Sequence, residues 1–340
     1  SDPSILSLDS SILQVASNLL DEWRQNLVAS VEVGRSGLRE GGRLFAEACS
    51  LLLDPPALAG WASERRGSAY SIDESEVLER IHYTLKDCDR RATVSTPLAD
   101  HLTYQIATGE RVVIFCPTTS LAEELAQEIC GILGEKFVVT HLESMTPTDA
   151  DIAIRKFEQS GFNANIIVCD RTAEEGCNLQ MADLVVHVGL PSDVNRLEQR
   201  IGRTDRWTNN REGKGVRSMR VTSCDEPDVW DVLWGDIVQY GFEVFSKSVA
   251  SLQHAIEEST SHTWEQMFLS GFETKDIEIR QIKNKLAAEL DNVREQDSLD
   301  SHQAPKDSRS IFAQIIESET EQSRFAAVSD ELFSREGVAG

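Results

Sequence analysis

The densest group of residues that could do chemistry is the segment QRIGRTDR, which begins at Gln199. On a helix, Gln199, Arg203 and Arg206 lie three or four residues apart and therefore share one face. Arginine carries a permanently charged planar guanidinium that fits phosphate oxygens, so a pair at this spacing could bracket a terminal phosphate during its transfer. The spacing also suits a solvated helix face with ion pairs to Glu198 and Asp205, and the segment alone leaves both interpretations open.

A second segment, DRTAEEGCNL, begins at Asp170 and directly follows the apolar run NIIVC. If that run is a strand of a parallel sheet, the segment lies at the carboxyl edge, where ligands of open parallel sheets bind. Thr172 and Asn178 could donate hydrogen bonds to phosphate oxygens, and Gly176 permits a positive φ or a close backbone approach. The alternative is an ordinary loop that carries two acidic residues of the kind that cap helices.

The elements around these segments predict an α/β fold. Between residues 110 and 224, short apolar runs alternate with helical patterns of about 10–15 residues, as in βαβ units of a parallel sheet buried on both faces. The predicted strands are residues 111–116, 136–140, 165–169, 184–188 and 218–222. The predicted helices between them are residues 120–133, 147–159 and 193–206.

The flanking regions are predicted to be helical. Apolar residues within 5–60 follow the helical period, with one helix that stops at the pair Pro55-Pro56 and a polar loop after it at 62–75. We therefore expect three regions, namely a helical extension at 1–90, a sheet domain at 91–224 and an acidic helical region at 225–340.

The charge is distributed unevenly. The chain holds 33 Lys and Arg against 57 Asp and Glu, for a net charge of −24, which disfavours a generic basic nucleic-acid binder or a membrane-surface protein. Residues 196–220, the basic stripe, hold eight basic and three acidic residues. Positive charge packed this densely repels itself unless an anion binds, so the basic stripe is the predicted anion site.

Cysteine and histidine spacing indicates no metal site. The seven cysteines form no C-x-x-C pair, so we expect small buried thiols in a reducing cytoplasm. No apolar stretch approaches the ~18–20 residues of a membrane span, and no signal peptide is visible, so we expect no membrane partner. Because the chain begins at Ser1 rather than Met, we expect it to be a processed or excised part of a longer protein.

Taken together and in this order, VVIFC, DRTAEEGCNL and QRIGRTDR resemble motifs IV, V and VI of the second RecA-like lobe of superfamily 2 helicases and translocases. The stretch from Cys169 to Arg206 is most similar to Swi/Snf-type translocases, and within them to the bacterial RapA-like ATPases and their relatives in phage-defence clusters. The segment LREGGRLFAEACSLLLDPPAL is similar to the inter-lobe helices of that group. The resemblance implies a RecA-like parallel sheet, the second helicase lobe, with helical N- and C-terminal extensions.

The resemblance also implies roles for individual residues. Arg203 and Arg206 would contact the γ-phosphate of ATP, with Arg206 the better candidate for the arginine finger. The residues implied at the nucleotide edge and at the interface with the first lobe are Gln199, Arg200, Gly176 and Glu175, of which Arg200 would hold the motif. The nucleic-acid track would be lined by residues that carry hydroxyl groups, namely Thr118, Thr119, Ser144 and Thr172.

The sequence departs from a complete motor. A Walker A loop needs a Ser or Thr after its Gly-Lys pair, but the pair Gly213-Lys214 is followed by Gly215, and no Asp-Glu pair follows an apolar strand. ATP and Mg²⁺ are therefore expected to be bound mainly by a first lobe that this chain lacks. We expect no ATP hydrolysis from the isolated chain.

The implied function is that of the C-terminal motor lobe of an ATP-dependent nucleic-acid translocase, with double-stranded DNA favoured. Its partners would be nucleic acid and a first RecA-like lobe, in cis or in trans. One alternative is the second lobe of an RNA helicase. The other is a non-catalytic RecA-like platform for protein interaction, whose acidic C-terminal helices would suit a basic protein partner.

Overall fold

The structure is a computed structural model that describes residues 2–30, 35–107, 109–159, 165–174, 176–204, 216–246 and 250–303. The described residues up to 287 form one compact unit, and the described residues from 288 onward belong to a second. No helix within the described ranges is both long enough and apolar enough to cross a membrane. The region boundaries expected at 90/91 and 224/225, and the cytoplasmic setting, stay predictions.

A six-stranded, all-parallel sheet forms the centre of the first unit, with the strand order β1-β6-β5-β2-β4-β3. The strands are β1 (Ser4–Ser7), β2 (Val112–Phe115), β3 (Val138–His141), β4 (Ile166–Cys169), β5 (Leu184–Val188) and β6 (Arg217–Thr222). Strands β2, β4 and β5 are buried along their whole length, which explains their uninterrupted apolar sequences. The five predicted strands and the α/β fold with a parallel sheet are thus confirmed.

Strand β1 corrects the expectation that residues 5–60 are helical from their start. It pairs with β6, from Ser4 opposite Met219 to Ser7 opposite Thr222, and forms an edge of the sheet. Leu6 packs against the sheet core, whereas Ile5 is half exposed. A four-residue strand whose partner lies more than 200 residues away carries almost no local signal, so the sequence pattern could not reveal it.

Helices cover both faces of the sheet and extend from it. They are α1 (Ser11–Ser30), α2 (Arg35–Cys49), α3 (Pro55–Arg66), α4 (Ile72–Leu85), α5 (Thr96–Ala107), α6 (Thr119–Leu133), α7 (Pro147–Glu158), α8 (Val194–Thr204), α9 (Trp230–Asp236), α10 (Gln253–Ser270) and α11 (Lys275–Gln303). Helix α2 contacts α10 closely: a Cβ built on Gly42 would lie 3.0 Å from the backbone nitrogen of Glu265.

Helix α3 corrects a second expectation. The pair Pro55-Pro56 starts a helix, because Asp54 caps it by accepting a hydrogen bond of 3.2 Å from the Ala57 amide. Proline is well tolerated in the first turn, where the missing N–H would have no helical partner. The helix then continues to Arg66, so the first part of the loop expected at 62–75 is helical.

Candidate functional site

The two segments singled out in the sequence meet at the carboxyl edge of the sheet. Strand β4 ends at Cys169 and leads into a 3₁₀ turn over Arg171–Glu174, while α8 follows β5. The strands are parallel, so both connections leave from the same edge. The backbone joins them directly, because the Leu179 amide donates a hydrogen bond of 3.1 Å to the Arg203 carbonyl.

Glu174 is the centre of the contact between these segments. Arg196 donates two hydrogen bonds to its carboxylate, from Nε to Oε2 at 2.7 Å and from Nη2 to Oε1 at 2.9 Å. Arg200 donates a third, from Nε to Oε1 at 2.7 Å. The Glu174 and Arg200 side chains are only 4% and 2% exposed, so this ion pair is buried. Each charge can be buried because the other is its partner.

Arg200 links α8 to the turn at Glu174 and to strand β2 of the sheet. Burial lowers the pKa of its guanidinium, and the Glu174 carboxylate opposes that shift. The guanidinium lies over the Phe115 ring, 5.0 Å from the ring centroid, and Nη1 points to the Gly189 carbonyl at 3.5 Å. Arg200 is therefore a structural contact between α8 and the sheet, and it is too deeply buried to face a nucleotide.

Arg203 has different surroundings from Arg200. Its Nε donates a hydrogen bond of 3.0 Å to the Glu174 carbonyl oxygen, and its side chain is only partly buried. Among the described residues, its two Nη groups have no hydrogen-bond or ion-pair partner. Gln199 lies one turn earlier on α8 and is exposed, so the shared face predicted for these two residues is present. Arg206 and Glu175, also predicted site residues, lie outside the described residues.

Gly176 has a φ of +75°, and a Cβ built there would meet no atom of the described residues within 4 Å. The sequence allowed two reasons for this glycine, a positive φ or a close backbone approach, and within the described residues the structure shows the positive φ. The left-handed backbone follows the turn that presents the Glu174 carbonyl to α8.

Of the five arginines in the described part of the basic stripe, four pair with carboxylates of the chain. Arg196 and Arg200 pair with Glu174, Arg217 pairs with Glu110 at 2.5 Å, and Arg220 pairs with Asp236 at 3.0 Å. These three carboxylates lie outside residues 196–220, which is why a count along the sequence missed them. Within the described part of the stripe, Arg203 alone has no carboxylate partner.

Thr118, predicted to contact nucleic acid, has a structural role at the start of α6. Its side chain caps the helix by accepting a hydrogen bond of 3.2 Å from the Leu121 amide. Its hydroxyl donates a hydrogen bond to the fully buried carboxylate of Asp54. The same carboxylate also accepts a hydrogen bond of 2.6 Å from Arg90 Nε. This group of side chains connects α6 with the first turn of α3.

The other three predicted nucleic-acid residues also donate to carboxylates of the chain. The Thr119 and Thr172 hydroxyls donate to the two oxygens of Asp170, at 2.7 and 2.6 Å, and so meet at one point of the sheet edge. Ser144 donates to Glu123 at 2.9 Å, on the surface. A hydroxyl used in this way would have to rotate before it could donate to a phosphate.

Asp170 was not predicted as a site residue, although its position directly after a buried strand was a usable signal. Burial raises the pKa of its carboxyl, but hydrogen bonds from the Glu143 amide, Thr172 and Thr119 outweigh burial and hold the pKa below its ordinary value. Asp170 is therefore a charged acceptor that organises the edge. Glu174 was missed for a similar reason, since only the fold shows that the arginines of α8 converge on it. No group of three potential metal ligands occurs among the described residues.

Residues 95–208 match the family described as "Helicase conserved C-terminal domain". The match covers about a third of the chain. The chain is 35% identical over 104 residues to the RNA polymerase-associated protein RapA of Vibrio parahaemolyticus, an alignment that covers 31% of this chain and 11% of that protein. It is 28% identical over 195 residues to RapA of Actinobacillus succinogenes, an alignment that covers 55% of this chain and 19% of that protein. The predicted resemblance is thus confirmed, and the chain spans about a tenth to a fifth of the length of these relatives.

Two solved structures are also similar to this chain. The C-terminal part of the Fun30 ATPase domain aligns with 80% of this chain and 98% of that chain, at 14% identity and a TM-score of 0.42. The Sulfolobus solfataricus SWI2/SNF2 ATPase core in complex with double-stranded DNA aligns with 83% of this chain and 50% of that chain, at 14% identity and a TM-score of 0.44.

Proposed function

We propose that this chain is the second motor lobe of an ATP-dependent nucleic-acid translocase, and that Arg203 acts on the γ-phosphate of ATP bound to a first lobe. One observation carries the proposal. Arg203 is fixed through its Nε at the carboxyl edge of the sheet, while its Nη groups have no partner among the described residues. A guanidinium held in this way is ready for an anion and loses little side-chain freedom when it binds one.

The proposed role of Arg203 depends on where negative charge develops during phosphoryl transfer. In phosphoryl transfer, negative charge spreads over the oxygens of the transferred group, and an arginine placed there is worth ~10³–10⁵ in rate. Closure of the two lobes would bring Arg203, together with Arg206, onto the phosphate, and hydrolysis would release them. We assign Mg²⁺ and most of the ATP contacts to the first lobe, because the sequence of this chain holds no complete Walker A loop and no Asp-Glu pair after an apolar strand.

Double-stranded DNA is our proposed substrate. The support is the Gln-headed segment on α8 together with the inter-lobe-like helices α2 and α3. Contact with the sugar-phosphate backbone through Thr119 and Thr172 would require their hydroxyls to leave Asp170. An RNA substrate is the alternative. Stimulation of ATP hydrolysis by double-stranded DNA, single-stranded DNA and RNA, compared side by side, distinguishes them.

The main test is Arg203→Ala in the intact protein that joins this chain to its first lobe. We expect ATP binding to change by less than about threefold, because binding rests on the first lobe, and kcat to fall at least ~10³-fold. Arg217→Ala is the matched control, since Arg217 is a half-exposed arginine of the same basic stripe that pairs with Glu110 on the surface. Equal turnover of Arg203→Ala and Arg217→Ala would contradict the proposal.

A second candidate function is a non-catalytic platform for protein interaction. The observation that favours it is that all four hydroxyls predicted to contact nucleic acid donate to carboxylates of the chain itself. Such an edge repels phosphate and suits a basic partner. The platform hypothesis predicts that the intact protein neither hydrolyses ATP nor binds nucleic acid.

A further inference from the structure

We propose that Glu174 is the positioning residue for Arg203, an inference that rests on the function proposed above. Its carboxylate fixes α8 through two arginines, and its own carbonyl oxygen then holds the third. One residue thus sets both the placement of the helix and the orientation of the phosphate-binding guanidinium.

The spacing on α8 explains why a single residue can do this. Arg196, Arg200 and Arg203 occupy positions i, i+4 and i+7, which form one stripe of a helix. All three stack above the turn at Glu174, and each places its Nε within 3.0 Å of a Glu174 oxygen. The turn thus uses Nε of Arg203, while the two Nη groups of Arg203 have no hydrogen-bond or ion-pair partner among the described residues.

The carboxylate is also what allows Arg200 to be buried beside Arg203. Arg200 is 2% exposed, and a buried guanidinium without a counter-charge is strongly unfavourable. Without the carboxylate, Arg200 would have to move toward water, and Arg203, three residues later on the helix, would move with it. A displacement of about 1 Å at a catalytic group can cost ~10²-fold in rate.

The rest of the contact allows the helix to remain folded when the carboxylate is lost. The hydrogen bond from the Leu179 amide to the Arg203 carbonyl joins two backbone groups, so it does not depend on the Glu174 carboxylate. Glu174→Gln keeps the size of the side chain and the backbone carbonyl. We therefore expect this variant to misplace Arg203 without unfolding the domain.

The first readout needs no activity. In NMR spectra of the 340-residue chain, Arg203 Nε–H, assigned by its loss in Arg203→Ala, should exchange slowly with water in the wild type because it is bonded to the Glu174 carbonyl. In Glu174→Gln we expect its exchange to accelerate by about tenfold or more. Unchanged exchange would overturn the proposal.

The second readout is steady-state ATP hydrolysis by the intact two-lobe protein. We expect Glu174→Gln to lower kcat by ~10²-fold with KM within about threefold, and Glu174→Asp, which keeps the charge, to recover part of the loss. Glu110→Gln, which removes the partner of Arg217, is the control and should resemble the wild type. If Glu174→Gln does not fold, Arg196→Gln removes the half-exposed arm of the cluster and should show a smaller loss of kcat in the same direction.

The two proposals fail in different ways. If Arg203→Ala turns over like the wild type, the proposed function is wrong. If Arg203→Ala loses turnover while Glu174→Gln and Arg196→Gln keep wild-type kcat, the function stands and the positioning role of Glu174 is wrong. A loss that Glu174→Asp does not recover at all, with KM rising in parallel, also overturns the positioning role.

Discussion

Replacement of Asp54 by alanine should destabilise the first unit by about 3 kcal/mol. Asp54 has no exposed surface, caps α3 through the Ala57 amide, and accepts hydrogen bonds from Arg90 and the Thr118 hydroxyl. Loss of the cap costs ~1 kcal/mol. Loss of the charged hydrogen bonds costs a further ~1.5–3 kcal/mol. Since Arg90 is 21% exposed and can regain water, the ~3–5 kcal/mol of a fully buried broken pair is an upper bound.

Thermal melting followed by circular dichroism measures this effect. At roughly 2–4 °C per kcal/mol for a domain of this size, Asp54→Ala should lower Tm by roughly 6–12 °C. The control is Asp89→Ala, because Asp89 is exposed and binds only the Arg91 and Ala92 amides, without a buried ion pair. It should lower Tm by no more than about 4 °C. Equal Tm values for the two variants would refute the idea that the buried carboxylate joins α3 to α6.

Two further predictions concern packing and pH. Gly41→Ala should destabilise the chain by ~1–3 kcal/mol in a urea titration, because its Cβ would lie 2.6 Å from Cζ of Phe268. The control Gly60→Ala, with open space around it, should be neutral or stabilising by up to ~1 kcal/mol. Equal effects of the two substitutions would contradict the close α2–α10 contact. The pKa of Asp170 is lowered in the folded chain, so its stabilising contribution is present at neutral pH and is lost as pH falls below ~4. Urea titrations should therefore show the wild type losing its stability advantage over Asp170→Asn as the pH falls below ~4, and a constant advantage would count against the Asp170 contacts.

Strands β2 to β6 could be predicted from the sequence, because they are short apolar runs separated by turn and helix signals. Local rules failed where the decisive contact is remote. Strand β1 pairs with β6, more than 200 residues later in the chain, and the proline pair that follows one helical pattern also begins α3, because Asp54 caps that helix. The residues of the candidate site also divide into those with a local sequence signal and those without one. Arg203 was found from its spacing on α8, whereas Asp170 and Glu174 were missed, because their importance depends on side chains that only folding brings to them.

The ion pairs of the basic stripe locate the predicted anion site more exactly than the amino-acid composition of the stripe does. Along the sequence, the basic stripe is a uniform excess of arginine, but in space three of its guanidinium groups face the single carboxylate of Glu174 or its carbonyl. Two of these arginines satisfy that carboxylate, and the third is left with a neutral acceptor. Among the described residues, the cluster is therefore short of negative charge at Arg203, and a phosphate bound to the first lobe would supply it. This local deficit, rather than the net charge of −24, is what makes phosphate chemistry the most economical explanation of the site.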